Sequence, residues 1–110
     1  MDTLTRLEET IAARLTSGNA ASSYVASLQA RGLPVIARKL GEEAVETIVA
    51  ALSGNRQELV GEAADVLFHL LVLLGKQGIP LYDVLAELDR REGTSGIDEK
   101  ASRPRSDENA

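Results

Sequence analysis

The chain has 110 residues, 44% of them apolar but only 3% aromatic, with no cysteine, one histidine and a formal net charge of −5. That length fits a single domain, and the lack of cysteine excludes a disulfide framework and a thiolate metal site. The acidic balance excludes a general nucleic-acid binder, which needs a basic surface, but leaves room for a small anionic ligand brought in with a metal.

A core poor in aromatics must be built from Leu, Val, Ile and Ala, which suits packed helices. With one histidine, any metal site must be mainly oxygen, the donor set of hard cations such as Mg²⁺ and Mn²⁺. The N-terminus MDTLTRLEET has no apolar signal-peptide core. The longest apolar run, Val66 to Leu74, is interrupted by His69 and falls far short of the roughly 20 residues of a membrane span. A soluble, cytoplasmic protein with no membrane contact is expected.

Five helices are predicted in chain order. Thr3 to Leu15 places Leu4, Leu7, Ile11 and Leu15 at helical spacing and stops at Ser17-Gly18-Asn19. Ser22 to Ala30 is a short segment with Tyr24, Val25 and Leu28 inward, capped by Ser22 or Ser23 and ended by Gly32. Pro34 stands in the first turn of a third helix that runs to about Leu52. Gly54 ends it, and Asn55 with Glu58 three residues on forms a capping-box pattern for a fourth helix to about Lys76. Gly78 breaks that helix and Pro80 opens a fifth, ending near Arg91. Gly41 and Gly61, costly inside helices, suggest close helix approach.

These elements imply an all-α antiparallel bundle over residues 1–91, because short loops make neighbouring helices antiparallel. Residues 92–110, GTSGIDEKASRPRSDENA after Glu92 onward, carry almost no apolar side chains and are expected to be a disordered polar tail. The fourth helix is apolar nearly all round, and a helix of that kind is buried. Four or five helices in so small a chain cannot easily enclose it, so a core completed by homodimerisation is expected, with an ordinary monomer built round one central helix as the plainer alternative.

Polar residues interrupt this pattern in two places. On the third helix Lys39, Glu43 and Glu46 fall within about 60° of one another, with Glu42 to one side. Ala37, Ala44, Ile48 and Leu52 lie opposite, on the expected core side. On the fourth helix Glu58, Glu62, Asp65 and His69 form the one polar stripe, at spacings of four, three and four. An antiparallel pair joined at Gly54-Asn55 brings Glu43, Glu46, Glu62 and Asp65 to similar heights. Like charges so close repel, and burying them unpaired costs several kcal/mol each. Divalent cations would turn the cluster into a hard oxygen site suited to phosphoanhydride hydrolysis.

At these residues the chain resembles a known family. EEAVE, then EAAD with fifteen residues between Glu46 and Glu62, is similar to the EExxE…ExxD signature of the all-α nucleoside triphosphate pyrophosphohydrolases. Those include MazG-type enzymes, dimeric dUTPases and phosphoribosyl-ATP pyrophosphohydrolases. SSYVASLQARG, IARKLGEEAVETIVAAL and ELVGEAADVLFHLLVLLGKQGIPLYDVLAEL resemble the last group in order and spacing over about Ser22 to Leu88. The resemblance implies the second step of histidine biosynthesis, in which phosphoribosyl-ATP is cleaved between its α and β phosphates to phosphoribosyl-AMP and pyrophosphate. It also implies Mg²⁺ (or Mn²⁺), a homodimer and a nucleotide substrate.

By motif position Glu43, Glu46, Glu62 and Asp65 would hold the metal, and Glu42 would be a further ligand or a base for the attacking water. Lys39 would meet a phosphate, or pair with Glu43 as a plain helix ion pair. His69 would orient Asp65 or touch a phosphate, or be a core histidine bonded to a carboxylate. Ser23 and Tyr24 would meet substrate at a helix start, where a simple N-cap explains the serine equally well. Arg31 and Arg38 would meet the second phosphate group, with an Arg38–Glu42 surface pair as the plainer reading of Arg38. Two alternatives compete: a house-cleaning pyrophosphohydrolase acting on (d)NTPs with the same acids, and a non-catalytic helical dimerisation module whose acids are merely solvated.

Overall fold

The computed structural model describes residues 1–93 and 96–103. The helices are α1 (Thr3–Ser17), α2 (Tyr24–Arg31), α3 (Leu33–Ser53), α4 (Arg56–Lys76), α5 (Leu81–Arg91) and a short α6 (Gly96–Ser102), with no strand among the described residues. The chain is all-α, and the first five helices match the expected ones to within about two residues, the usual latitude of helix ends.

Local chemistry sets those ends. The Asp2 carboxylate accepts from Thr5 N at 2.8 Å to start α1, and Ser23 Oγ accepts from Ala26 N at 3.2 Å to start α2. Asn55 Oδ1 accepts from Glu58 N at 3.1 Å to start α4. Each bond satisfies a donor that the first turn leaves orphaned. Gly54 ends α3 with φ +80, in the left-handed region where a side chain is strained. Pro80 opens α5, whose first N–H, at Leu81, donates to Glu8 Oε2 of α1 at 2.6 Å. This long-range cap ties α5 to the first helix.

The core sits at one end of the molecule. Ile11, Val25, Leu28, Ile36, Leu71 and Val72 are buried together, with Leu4, Leu7, Leu15, Val35, Phe68 and Leu74 packed against them. These residues come from α1, α2, the start of α3 and the second half of α4. Burying each large side chain is worth about 1.5–3 kcal/mol. At Gly75 on α4 an added Cβ would stand 2.9 Å from Leu15 Cδ1, so the glycine lets α1 lie close.

Beyond this core, the rest of α3 and the first half of α4 form a two-helix arm. Its outer side does not match the expected burial. Ile48 and Leu52, placed on the core side by the wheel, are 59% and 84% exposed, and Ala37 is exposed too. The reason is that α3 turns Glu43 and Thr47 toward α4 while its apolar side has no third layer to meet. Val45, Val49, Val60 and Leu67 are exposed on the same arm, so α4 is buried only in its second half. Gly41 and Gly61 face open space rather than a closely packed helix. In the expected tail, Gly96–Ser102 is helical, since Asp, Lys and Ala are tolerated there, but Ile97 is 84% exposed and adds nothing to the core. Residues 94–95 and 104–110 of that tail lie outside the described residues.

Candidate metal centre

The Gly54-Asn55 turn folds α4 back along α3, and the two acidic stripes meet in the middle of the arm. One carboxylate oxygen each from Glu43, Glu62 and Asp65 lies within 4.8 Å of the others. Glu46 stands near enough to raise the pKa of both Glu43 and Glu62. Glu43 and Glu62 are half-buried, and Asp65 is exposed.

The electrostatics of the cluster are unfavourable without a counter-charge. Glu43 Oε2 and Glu62 Oε2 are buried and have no hydrogen-bond partner. Loss of water and then the bond from Glu46 raise the Glu43 pKa, while its bond with Glu62 acts in the opposite direction. Glu62 is pushed up to about 7 by loss of water first, then by Glu46 and Glu43. Two carboxylates can share a site by holding a proton between them, or by binding a cation that suits both. Orphaned, half-buried oxygens supplied by carboxylates alone fit a hard divalent cation.

The other predicted residues divide into two groups. Glu42 stands outside the convergence. Its oxygens pair with Arg38 Nε at 3.3 Å and Lys39 Nζ at 3.5 Å, so the lysine meets Glu42 rather than Glu43. These exposed pairs contribute at most about 1 kcal/mol. They border an open groove of about 600 Å³ lined by Arg38, Gly41, Glu42, Val45 and Glu46. Arg31 is exposed in the last turn of α2.

Ser23 and His69 are buried, but Tyr24, expected to face inward, is 49% exposed because only one side of its ring and its hydroxyl reach Phe68 and His69. Ser23 is 6% exposed and acts as the α2 N-cap. His69 is 5% exposed. Its Nδ1 is 2.8 Å from the Asp65 carbonyl oxygen and its Nε2 is 2.9 Å from the Tyr24 hydroxyl. The Tyr24 ring stacks on Phe68, with centroids 6.1 Å apart, and Phe68 meets His69 edge-on at 5.2 Å. Phe68 has no place in the predicted site, and the Tyr24–His69 bond spans 45 residues. Helix periodicity within either segment gives no sign of it. A second cavity, about 520 Å³ beside Ile11, Leu71 and Gly75, shares no residue with the acid cluster.

The sequence model of the family described as phosphoribosyl-ATP pyrophosphohydrolase matches residues 4–92. A protein of Rhizorhabdus wittichii named phosphoribosyl-ATP pyrophosphatase is 63% identical over 103 residues, covering 94% of this chain and 96% of the relative. One of the same name from Erythrobacter litoralis is 64% identical, covering 94% and 98%. Another from Novosphingobium aromaticivorans is 63% identical over 100 residues, covering 91% and 92%.

Proposed function

The chain belongs to the phosphoribosyl-ATP pyrophosphohydrolase family, and from that premise we propose how its site performs the reaction. The protein hydrolyses phosphoribosyl-ATP at the α–β phosphoanhydride, giving phosphoribosyl-AMP and pyrophosphate, a step of histidine biosynthesis. The observation that carries the site assignment is the convergence of Glu43, Glu62 and Asp65, with Glu46 beside them.

Glu43, Glu46, Glu62 and Asp65 would hold Mg²⁺, which polarises a phosphoryl group, lowers the pKa of a bound water and offsets charge on the leaving oxygen. The protein's own part is to keep four acids together against their repulsion, so that no reorganisation is needed when nucleotide arrives. Glu42 holds the cationic ends of Arg38 and Lys39 at the groove, where an incoming phosphate can exchange for the carboxylate at little cost. Glu42, once released, is proposed to accept the proton of the attacking water. Ser23 caps α2 at one end, and exposed Arg31 at the other would meet the second phosphate group.

A homodimer is part of this reading. Val45, Ile48, Val49, Leu52, Val60 and Leu67 form an exposed apolar surface on the arm, and a second copy is the partner whose matching surface would cover it. No helix among the described residues is long and apolar enough to cross a membrane, and a cytoplasmic location suits a biosynthetic enzyme.

The test is pyrophosphate release from phosphoribosyl-ATP, with and without Mg²⁺, by wild type and Glu46→Gln. Release that needs Mg²⁺ and is lost in the variant supports the assignment. Turnover of a dNTP in place of phosphoribosyl-ATP would move the chain to the house-cleaning group, and turnover of neither would leave a dimerisation module.

A further inference from the structure

We infer that Tyr24 and His69 are positioning residues that hold Asp65 in register with Glu43 and Glu62, rather than groups that touch the nucleotide. The inference rests on the metal site proposed above. A carbonyl oxygen only accepts, so the 2.8 Å contact to the Asp65 carbonyl makes His69 Nδ1 the donor. In the neutral ring Nε2 then carries the lone pair and accepts from the Tyr24 hydroxyl at 2.9 Å. Both ring nitrogens are spent inside the fold. With His69 only 5% exposed, neither is left for a metal or a phosphate.

The three acids are not held equally. Glu43 and Glu62 are half-buried between the two helices, but Asp65 is exposed. Packing on its side chain therefore does little to fix Asp65, and its place depends on the turn of α4 that carries it. In the helix ladder the Asp65 carbonyl takes the backbone N–H four residues on. The His69 ring adds a second donor to that carbonyl. Tyr24 holds the ring from the other side, and Tyr24 is itself fixed: it is the first residue of α2, directly after the Ser23 cap, with its ring stacked on Phe68. The chain of contacts runs from the start of α2 through Tyr24 and His69 to the backbone of Asp65. Groups that orient metal ligands in this way typically change metal affinity or activity by about 10–100-fold when removed.

Two variants test this, Tyr24→Phe and His69→Phe. The first keeps the ring on Phe68 and removes only the hydroxyl. Mn²⁺ binding followed by its electron-spin resonance signal gives a readout independent of turnover. The expected result for Tyr24→Phe is Mn²⁺ affinity weaker by about 5- to 10-fold, a similar fall in kcat and a KM within about twofold of wild type. Its melting temperature without metal should fall by about 4–8 °C, since the buried His69 Nε2 loses its partner. The double variant should bind Mn²⁺ no worse than the weaker single one, because both act through one chain of contacts. Mn²⁺ affinity unchanged in both variants would overturn the inference and leave the pair as packing. A raised KM with unchanged kcat and Mn²⁺ affinity would overturn it too and make Tyr24 a substrate contact. Wild type that binds no Mn²⁺ would remove the metal site itself, and this inference with it.

Discussion

Glu43 on α3 and Glu62 on α4 each turn one carboxylate oxygen into the same half-buried space, and neither oxygen has a hydrogen-bond partner. Stable folds rarely leave buried charge unmatched. The burial and crowding of these acids should make stability depend on pH and, with the proposed metal, on divalent cations.

Without metal, stability should fall as pH rises. Glu43 and Glu62 have folded pKa values raised above their ordinary 4.5, Glu62 to about 7. The folded state therefore binds more protons than the unfolded chain between those values. The stability these two groups contribute is present below about 4.5 and is lost as pH rises through about 7. Thermal melts in chelator should show a lower melting temperature at about pH 8 than at about pH 5.5, and saturating Mg²⁺ should remove most of the difference. A flat profile in chelator would contradict the crowding of the two acids.

Neutralising one acid should separate stability from activity. Glu62→Gln removes a like charge from the cluster, so the metal-free protein should melt higher than wild type near neutral pH. The same change removes a proposed ligand, and kcat should fall by about 100-fold or more. The gain in melting temperature on adding Mg²⁺ should shrink with it. Calorimetry with and without Mg²⁺, beside a pyrophosphate assay, checks both.

The apolar arm should govern assembly. Ile48 and Val49 are about 60% exposed in the single chain, so a charged side chain there costs a lone protomer little. If a second copy covers them, Val49→Glu should convert dimer to monomer and lower activity with it. Light scattering after size-exclusion chromatography distinguishes the two. A monomeric wild type would overturn the dimer.

The contact at Gly75 should be costly to fill. An added methyl meets Leu15 Cδ1 at 2.9 Å, and half-buried Leu15 can give only part of the way. Gly75→Ala should therefore lose about 1–2 kcal/mol in urea unfolding, while Gly61→Ala, with open space around it, should be neutral or gain slightly in helix propensity.

What could be read before the structure follows from how local each signal is. Caps and breakers act within four residues, so Gly32, Pro34, Gly54 and Asn55 marked the helices well. The acid convergence was legible because one short turn fixes the relative height of two helices. The direction α3 faces was not. Its wheel has an apolar side and an acidic side, and propensity cannot say that the acidic side meets α4 while Ile48 and Leu52 stay bare. Glu42 differs from Glu43 by one position, yet one carboxylate meets Arg38 and Lys39 and the other the acid cluster. The rotation of the helix about its own axis decides that, and only packing supplies it. The Tyr24–His69 bond and the Glu8–Leu81 cap join distant segments by single side chains, a kind of contact that leaves no periodic trace.

The arm that carries the acids has a kinetic consequence. Glu43 and Asp65 belong to one continuous hairpin closed by a tight turn, so bringing them together requires little loop-closure entropy. Contacts of this local kind form early in folding. The hydrophobic cluster, by contrast, must draw Ile11 of α1 to Leu71 and Val72 of α4, across most of the chain. The acids can therefore meet without the core that supports them, and their mutual repulsion bears on that hairpin as well as on the finished protein. If the proposed cation binds the hairpin alone, it should speed folding, and if it needs the finished site, it should only slow unfolding.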